Sequence, residues 1–94
     1  MNMIDRWSVD IYLDEVDGET HAEARLATRE SDGLRGRGTA RCNPADWDVP
    51  EIGAELAAAR ALSDLSHRLL DAAAADIEAV THERVKLGDR QADR

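Results

Sequence analysis

From Pro50 to about Val80 apolar and small residues recur every three to four positions, and this stretch constrains the fold more than any other. Ile52, Leu56, Ala59, Leu62, Ser63, Ser66, Leu69, Leu70, Ala73, Ile77 and Val80 fall on one broad side of a helix at about 3.6 residues per turn. Arg60, Asp64, His67, Arg68, Asp71 and Glu78 take the opposite side, with Asp64 and Arg68 an i,i+4 pair in the better orientation. Asp48 and Pro50 mark the helix start, and Glu51 suits the positive end of the dipole. Such a helix of ~30 residues is ~45 Å long. A strand of ~8 residues spans only ~27 Å. The helix must therefore overhang any small sheet it packs on, and its apolar side continues as a contact surface. Leu62, Leu65, Leu69, Ala73 and Ile77 are the candidate dimer or partner face.

The first half of the chain has a different period. Trp7, Val9, Ile11 and Leu13 alternate with Ser8, Asp10 and Tyr12, which predicts a half-buried strand over residues 7–13. Asp17-Gly18 within the polar run 14–19 is a hairpin signal, because Gly accepts the positive φ of a tight turn. A second strand is predicted from about Thr20 to Thr28, with Ala22, Ala24 and Leu26 inward and His21, Glu23, Arg25 and Arg29 outward. Glu30-Ser31-Asp32-Gly33 reads as the next turn. A third strand is predicted from about Leu34 to Cys42, with Leu34, Gly36, Gly38, Ala40 and Cys42 on one face. The small residues there predict close approach of a helix backbone. Asn43 to Asp48 is a connector, with Asn43 and Pro44 fit to open one helical turn. The fold expected is α+β: a three-stranded antiparallel sheet followed by one long helix. It forms a single domain over residues 7–87, between a frayed start at 1–6 and a polar tail at 88–94.

The chain has 94 residues and no Phe, so its core rests on Leu, Ile, Val and Ala with Trp7 and Trp47. A domain of this size buries a modest share of its surface, and a partner subunit is expected to share the burial. The net charge of −8 argues against non-specific duplex binding, which demands a basic protein. The lone Cys42 cannot form a disulfide within the chain, which fits a reducing cytoplasm. No apolar run nears the ~20 residues of a membrane span, and residues 1–5 do not resemble a secretory signal.

Few motifs carry chemistry. Asp14, Glu15, Asp17 and Glu19 lack the spacing and distant Glu of a calcium loop, so a solvated hairpin is the better reading. His21, His67 and His82 have no metal spacing and read as surface residues. Cys42 reads as a small core residue. Gly36-Arg37-Gly38 lies within a strand pattern and is not a phosphate loop. Trp47 is either an anchor for the helix start or an interface residue. No metal or cofactor is expected, and no triad of nucleophile, base and orienting group can be read, so the expectation is a non-enzyme.

The sharpest feature is basic. Arg25, Arg29, Arg35, Arg37 and Arg41 are expected to share the sheet face away from the helix. They form the candidate face for an anionic partner, since guanidinium pairs well with phosphate and carboxylate. The competing reading is a solvated face in which Glu23, Asp10 and neighbouring acids pair with them.

Several segments also resemble a family. Trp7-Ser-Val-Asp-Ile, Gly18 to Leu26, Gly36 to Arg41, Asn43-Pro-Ala-Asp46, Val49 to Leu65 and Asp76 to His82 resemble a small actinobacterial domain-of-unknown-function family, related to mycobacterial conserved hypothetical proteins. The resemblance spans about residues 7–87, and its longest segment is Val49 to Leu65. It implies a fold similar to the double-stranded-RNA-binding domain without its first helix. It also implies likeness to half of a ribosome-hibernation factor, completed by dimerisation. Where RNA-binding domains of that fold carry a lysine cluster, this chain has Glu51, Gly53 and Glu55, which argues against ordinary duplex RNA binding. Two functions are therefore expected: a dimeric, non-enzymatic interaction module associated with the ribosome or RNA in stress or dormancy, or a protein-binding regulatory or structural module with no nucleic-acid contact.

Overall fold

The computed structural model describes residues 4–30, 33–41, 50–82, 84 and 87. Three strands, β1 (Ser8–Val16), β2 (Glu19–Ala27) and β3 (Arg35–Arg41), precede a single helix, α1 (Pro50–Thr81). The strands form an antiparallel sheet in the order β1-β2-β3. This is the α+β arrangement that the change of period predicts. The expected connector at 43–48, Cys42, Trp47 and the polar tail lie outside the described residues.

The first hairpin is tighter than predicted. β1 continues through Asp14 and Glu15 to Val16, and the whole reversal is Asp17-Gly18. Both turn residues have positive φ, 54° and 77°. That is the mirror-image turn whose twist matches two antiparallel strands. It fixes the register at Val16 opposite Glu19 and, further along, Ile11 opposite Ala24.

α1 lies across β3 and β2 and is displaced away from β1. Its contact residues are Ala57, Ala61 and Leu65, which are buried with Ala22, Ala24, Leu26 and Ala40. Leu34 and Leu69 extend this cluster. The larger side chains grouped on the apolar side by period, Ile52, Leu56 and Leu62, are instead exposed. Gly36 and Gly38 explain this. A Cβ on Gly36 would collide with the main chain of Ala61 and Leu65, and one on Gly38 with that of Ala57, Ala61 and Arg60. The helix backbone rests on the strand backbone, with Ala57, Ala61 and Leu65 at the closest points.

The position of α1 also corrects the expectation for the first strand. Val9, Ile11 and Leu13 do share the helix side of the sheet, since their partners Leu26, Ala24 and Ala22 are buried there. α1 does not cover them. Every residue of β1 is exposed.

Candidate functional site

On the face away from α1 the register builds a charge ladder. β3 presents Arg35, Arg37, Thr39 and Arg41; β2 presents Glu19, His21, Glu23 and Arg25; β1 presents Asp10, Tyr12 and Asp14. Glu23 is central. Its Oε2 accepts from Arg25 Nε at 3.2 Å and from Arg35 Nη1 at 3.1 Å. Glu19 Oε1 lies 3.5 Å from Arg41 Nη2 and 3.6 Å from His21 Nε2, the latter an ion pair when the imidazole is protonated. The Arg25 guanidinium also stacks over the Tyr12 ring at 4.1 Å, a cation–π contact. Partial burial pushes the Glu23 carboxyl up, but the Arg25 hydrogen bond and the charges of Arg25, Arg35 and Arg37 outweigh it and hold it below its ordinary value.

Four of the five candidate arginines thus meet on one face, as alternation requires. Arg29 does not join them, because β2 ends at Ala27 and Arg29 sits in the bend beyond. The four guanidiniums stand among four carboxylates, Asp10, Asp14, Glu19 and Glu23, so the face is charge-balanced. A shallow depression of about 380 Å³ lies on it, lined by Tyr12, His21, Glu23, Arg25, Arg37 and Thr39 among others. Among the described residues no group of three His, Cys, Asp or Glu side chains is placed to hold a metal.

A smaller cleft of about 250 Å³ lies where β3 begins, lined by Gly33, Leu34, Arg35, Arg37 and Arg68. Asp64 organises its helix side. Its Oδ2 accepts from the Arg37 main-chain N–H at 2.8 Å and from Arg68 Nε at 3.0 Å. These two hydrogen bonds, the backbone one foremost, hold the Asp64 carboxyl below its ordinary value. One turn earlier Arg60 Nη1 donates to the Thr39 carbonyl at 2.8 Å. Helix side chains therefore occupy main-chain groups on the free edge of β3. Helical spacing gives Asp64 and Arg68 as an i,i+4 pair; the reach of Asp64 to the strand edge follows from the helix placement.

The candidate partner face divides. Leu62 and Ile77 are exposed, and Leu69 and Ala73 are half-buried. Leu65 turns into the sheet and belongs to the core. The position of α1 leaves β1 as a second uncovered apolar element, with Val9, Ile11, Leu13 and Val16 exposed.

A family model described as Rv2632c-like matches residues 5–86 of the chain. The chain belongs to the Rv2632c-like family. Among its relatives, uncharacterized protein Mb1767 of Mycobacterium bovis is 55% identical over 86 residues, covering 92% of this chain and 90% of that protein. Uncharacterized protein Rv2632c of Mycobacterium tuberculosis is 48% identical over 79 residues, 82% of each chain. The crystal structure of Rv2632c superposes with a TM-score of 0.77 at 43% identity, covering 87% of this chain and 96% of that one. The Rv2632c-like fold is therefore common to chains that differ at about half their positions, while the names of these relatives carry no activity. Among the described residues no helix is long and apolar enough to cross a membrane.

Proposed function

We propose that this Rv2632c-like chain is a non-enzymatic interaction module that works as a homodimer in the cytoplasm and engages other proteins. One observation carries the reading: a nine-residue strand, β1, is exposed along its whole length although Val9, Ile11 and Leu13 face the side of the sheet that α1 should cover. Exposed apolar surface of this extent is a contact surface. Light scattering of the pure protein at tens of micromolar tests it. A dimer mass is expected, and a monomer overturns the reading.

A second reading, association with the ribosome or RNA in stress or dormancy, draws support from the cleft where Arg35, Arg37 and Arg68 converge. The ladder weighs against it, because Glu23 and Glu19 already engage Arg25, Arg35 and Arg41. Co-sedimentation with ribosomes from a related actinobacterium at low and moderate salt decides between the two. Saturable binding that weakens with salt and is lost on changing Arg35, Arg37 and Arg41 together to Glu supports the second reading. No binding at low salt removes it.

A further inference from the structure

We infer that the second copy adds to the free edge of β1 as an antiparallel strand centred on Ile11, giving one six-stranded sheet with both helices on the same side. The inference rests on the homodimer reading and specifies its surface.

The two edges of the sheet are not equivalent. Leu26 N–H donates to the Leu34 carbonyl at 2.9 Å. In an antiparallel ladder a residue turns both its main-chain groups to one neighbour, so even positions of β2 bond to β3 and odd positions bond to β1. The register then assigns the even positions of β1 to β2. The N–H and C=O groups of Val9, Ile11, Leu13 and Glu15 point away from the sheet. Among the described residues none donates to them or accepts from them. On β3 two of the equivalent groups, the Arg37 N–H and the Thr39 C=O, are taken by Asp64 and Arg60. One edge is partly occupied by side chains of its own helix, and the other is a template for a strand.

Self-pairing of β1 is decided by which residues fall opposite each other. In a two-fold antiparallel pair centred on Ile11, Ile11 meets Ile11 of the second copy and Val9 meets Leu13. On the other face Asp10 meets Tyr12 and Ser8 meets Asp14, so no like charges oppose. Neighbouring registers are worse. Centring on Tyr12 sets Asp10 against Asp14. Centring on Asp10 sets that carboxylate against its own copy. Centring on Leu13 sets Ile11 against Glu15. Directly opposed like charges destabilise a strand pair, and apolar pairs stabilise it. Centring on Val9 opposes no like charges but overlaps β1 with its copy over residues 8–10 only, whereas centring on Ile11 overlaps it over residues 8–14. Strand overlap and the acids of β1 together therefore favour the register centred on Ile11.

The pairing also answers the burial that one chain leaves undone. Val9, Ile11 and Leu13 are 41%, 37% and 48% exposed. Two copies would gather six such side chains into one strip between the helices. Arg60 and Asp64 hold the flank of α1 above β3, so Leu62 and Leu69, about a quarter of a turn from the buried Ala61 in the opposite sense, border that strip.

The test uses the full chain with Cys42→Ser. Ile11→Cys should form a disulfide-linked dimer on mild oxidation, because opposed Cα atoms of a hydrogen-bonded antiparallel pair lie about 5.5 Å apart, within disulfide range. Mixed Val9→Cys and Leu13→Cys chains should cross-link to each other, and neither should cross-link efficiently to itself. Ile11→Lys, in light scattering against concentration, should weaken the dimer about tenfold or more through two opposed ammonium groups and lost apolar contact. Cross-linking of Leu13→Cys or Tyr12→Cys to itself in preference to Ile11→Cys overturns the register. A dimer that persists in Ile11→Lys, with no cross-link at Ile11, overturns the β1 interface and leaves the homodimer standing. A wild-type monomer overturns both.

Discussion

Asp64 Oδ2 on α1 accepts the main-chain N–H of Arg37 on β3 at 2.8 Å, so a helix carboxylate occupies a main-chain donor on the β3 edge of the sheet. Asp64→Ala should cost about 1 kcal/mol, less than the roughly 1.5–3 kcal/mol of a buried charge-assisted hydrogen bond because the carboxylate is partly exposed. In a domain of this length that is a fall in Tm of roughly 4–8 °C. The pH dependence has a definite sign. The folded-state pKa of Asp64 is lowered, first by the Arg37 N–H and then by Arg68. The contribution is therefore present above the ordinary Asp pKa of about 3.9 and lost as pH falls through the folded value. The Tm gap between wild type and Asp64→Ala should be full at pH 7 and should close below about pH 4. A gap that is unchanged at pH 3 would show that Asp64 acts by packing alone.

Gly36 and Gly38 set the distance between α1 and β3. A Cβ at either would meet helix backbone, not a movable side chain. Gly36→Ala and Gly38→Ala should each destabilise by about 2–3 kcal/mol, the upper range for overpacking, since backbone must shift. Gly33→Ala, where a Cβ meets nothing within 4 Å, serves as the control and should change little. Thermal melts of the three variants give the comparison. If Gly36→Ala melts with wild type, the close helix–strand contact is not as described.

The sequence shows clearly which side chains share a face and poorly what covers that face. Alternation put Arg25, Arg35, Arg37 and Arg41 together, and the Gly36-Gly38 spacing pointed to a close helix. The change of period gave the order of strands and helix. Val9, Ile11 and Leu13 were equally regular, yet they stay exposed, because period two is the same for a strand under a helix and a strand beside one. The lateral position of α1 is set by where alanines can meet glycines, and Ala57 and Ala61 do not stand out in an Ala-rich helix. The same placement brings Arg60 and Asp64 to the β3 edge, 21 and 27 residues away in sequence.

The Asp17-Gly18 turn sets the pairing of β1 with β2, and with it the face on which Ile11 lies. Gly18 has φ of 77° and open space around its Cα, so the cost of a side chain there is conformational. Gly18→Ala should cost about 1–2 kcal/mol, the penalty of an L residue in the left-handed region. Asp17→Asn should be near neutral, since Asn tolerates that region. Urea denaturation of both variants checks this. Equal stability of Gly18→Ala and wild type would mean that the turn adopts another form in solution.

Glu23 decides whether the sheet face away from α1 presents free guanidinium groups. It holds Arg25 and Arg35 and sits within the field of Arg37. Glu23→Gln keeps the side-chain shape and removes the charge, leaving four arginines against Asp10, Asp14 and Glu19. If the arginines are a docking stripe restrained by its own acids, the variant should bind a short oligonucleotide more tightly than wild type. Its log-affinity should also fall more steeply with log salt, since each extra phosphate contact releases about one counterion. If the ladder is only a solvated face, wild type and variant should bind alike, and weakly, at every salt concentration. Fluorescence anisotropy at three salt concentrations separates these outcomes. A steep gain in Glu23→Gln would restore weight to the ribosome or RNA reading; flat, weak binding by both leaves the charge-balanced ladder as the sheet's solvent face and the β1 side as the surface on which recognition depends.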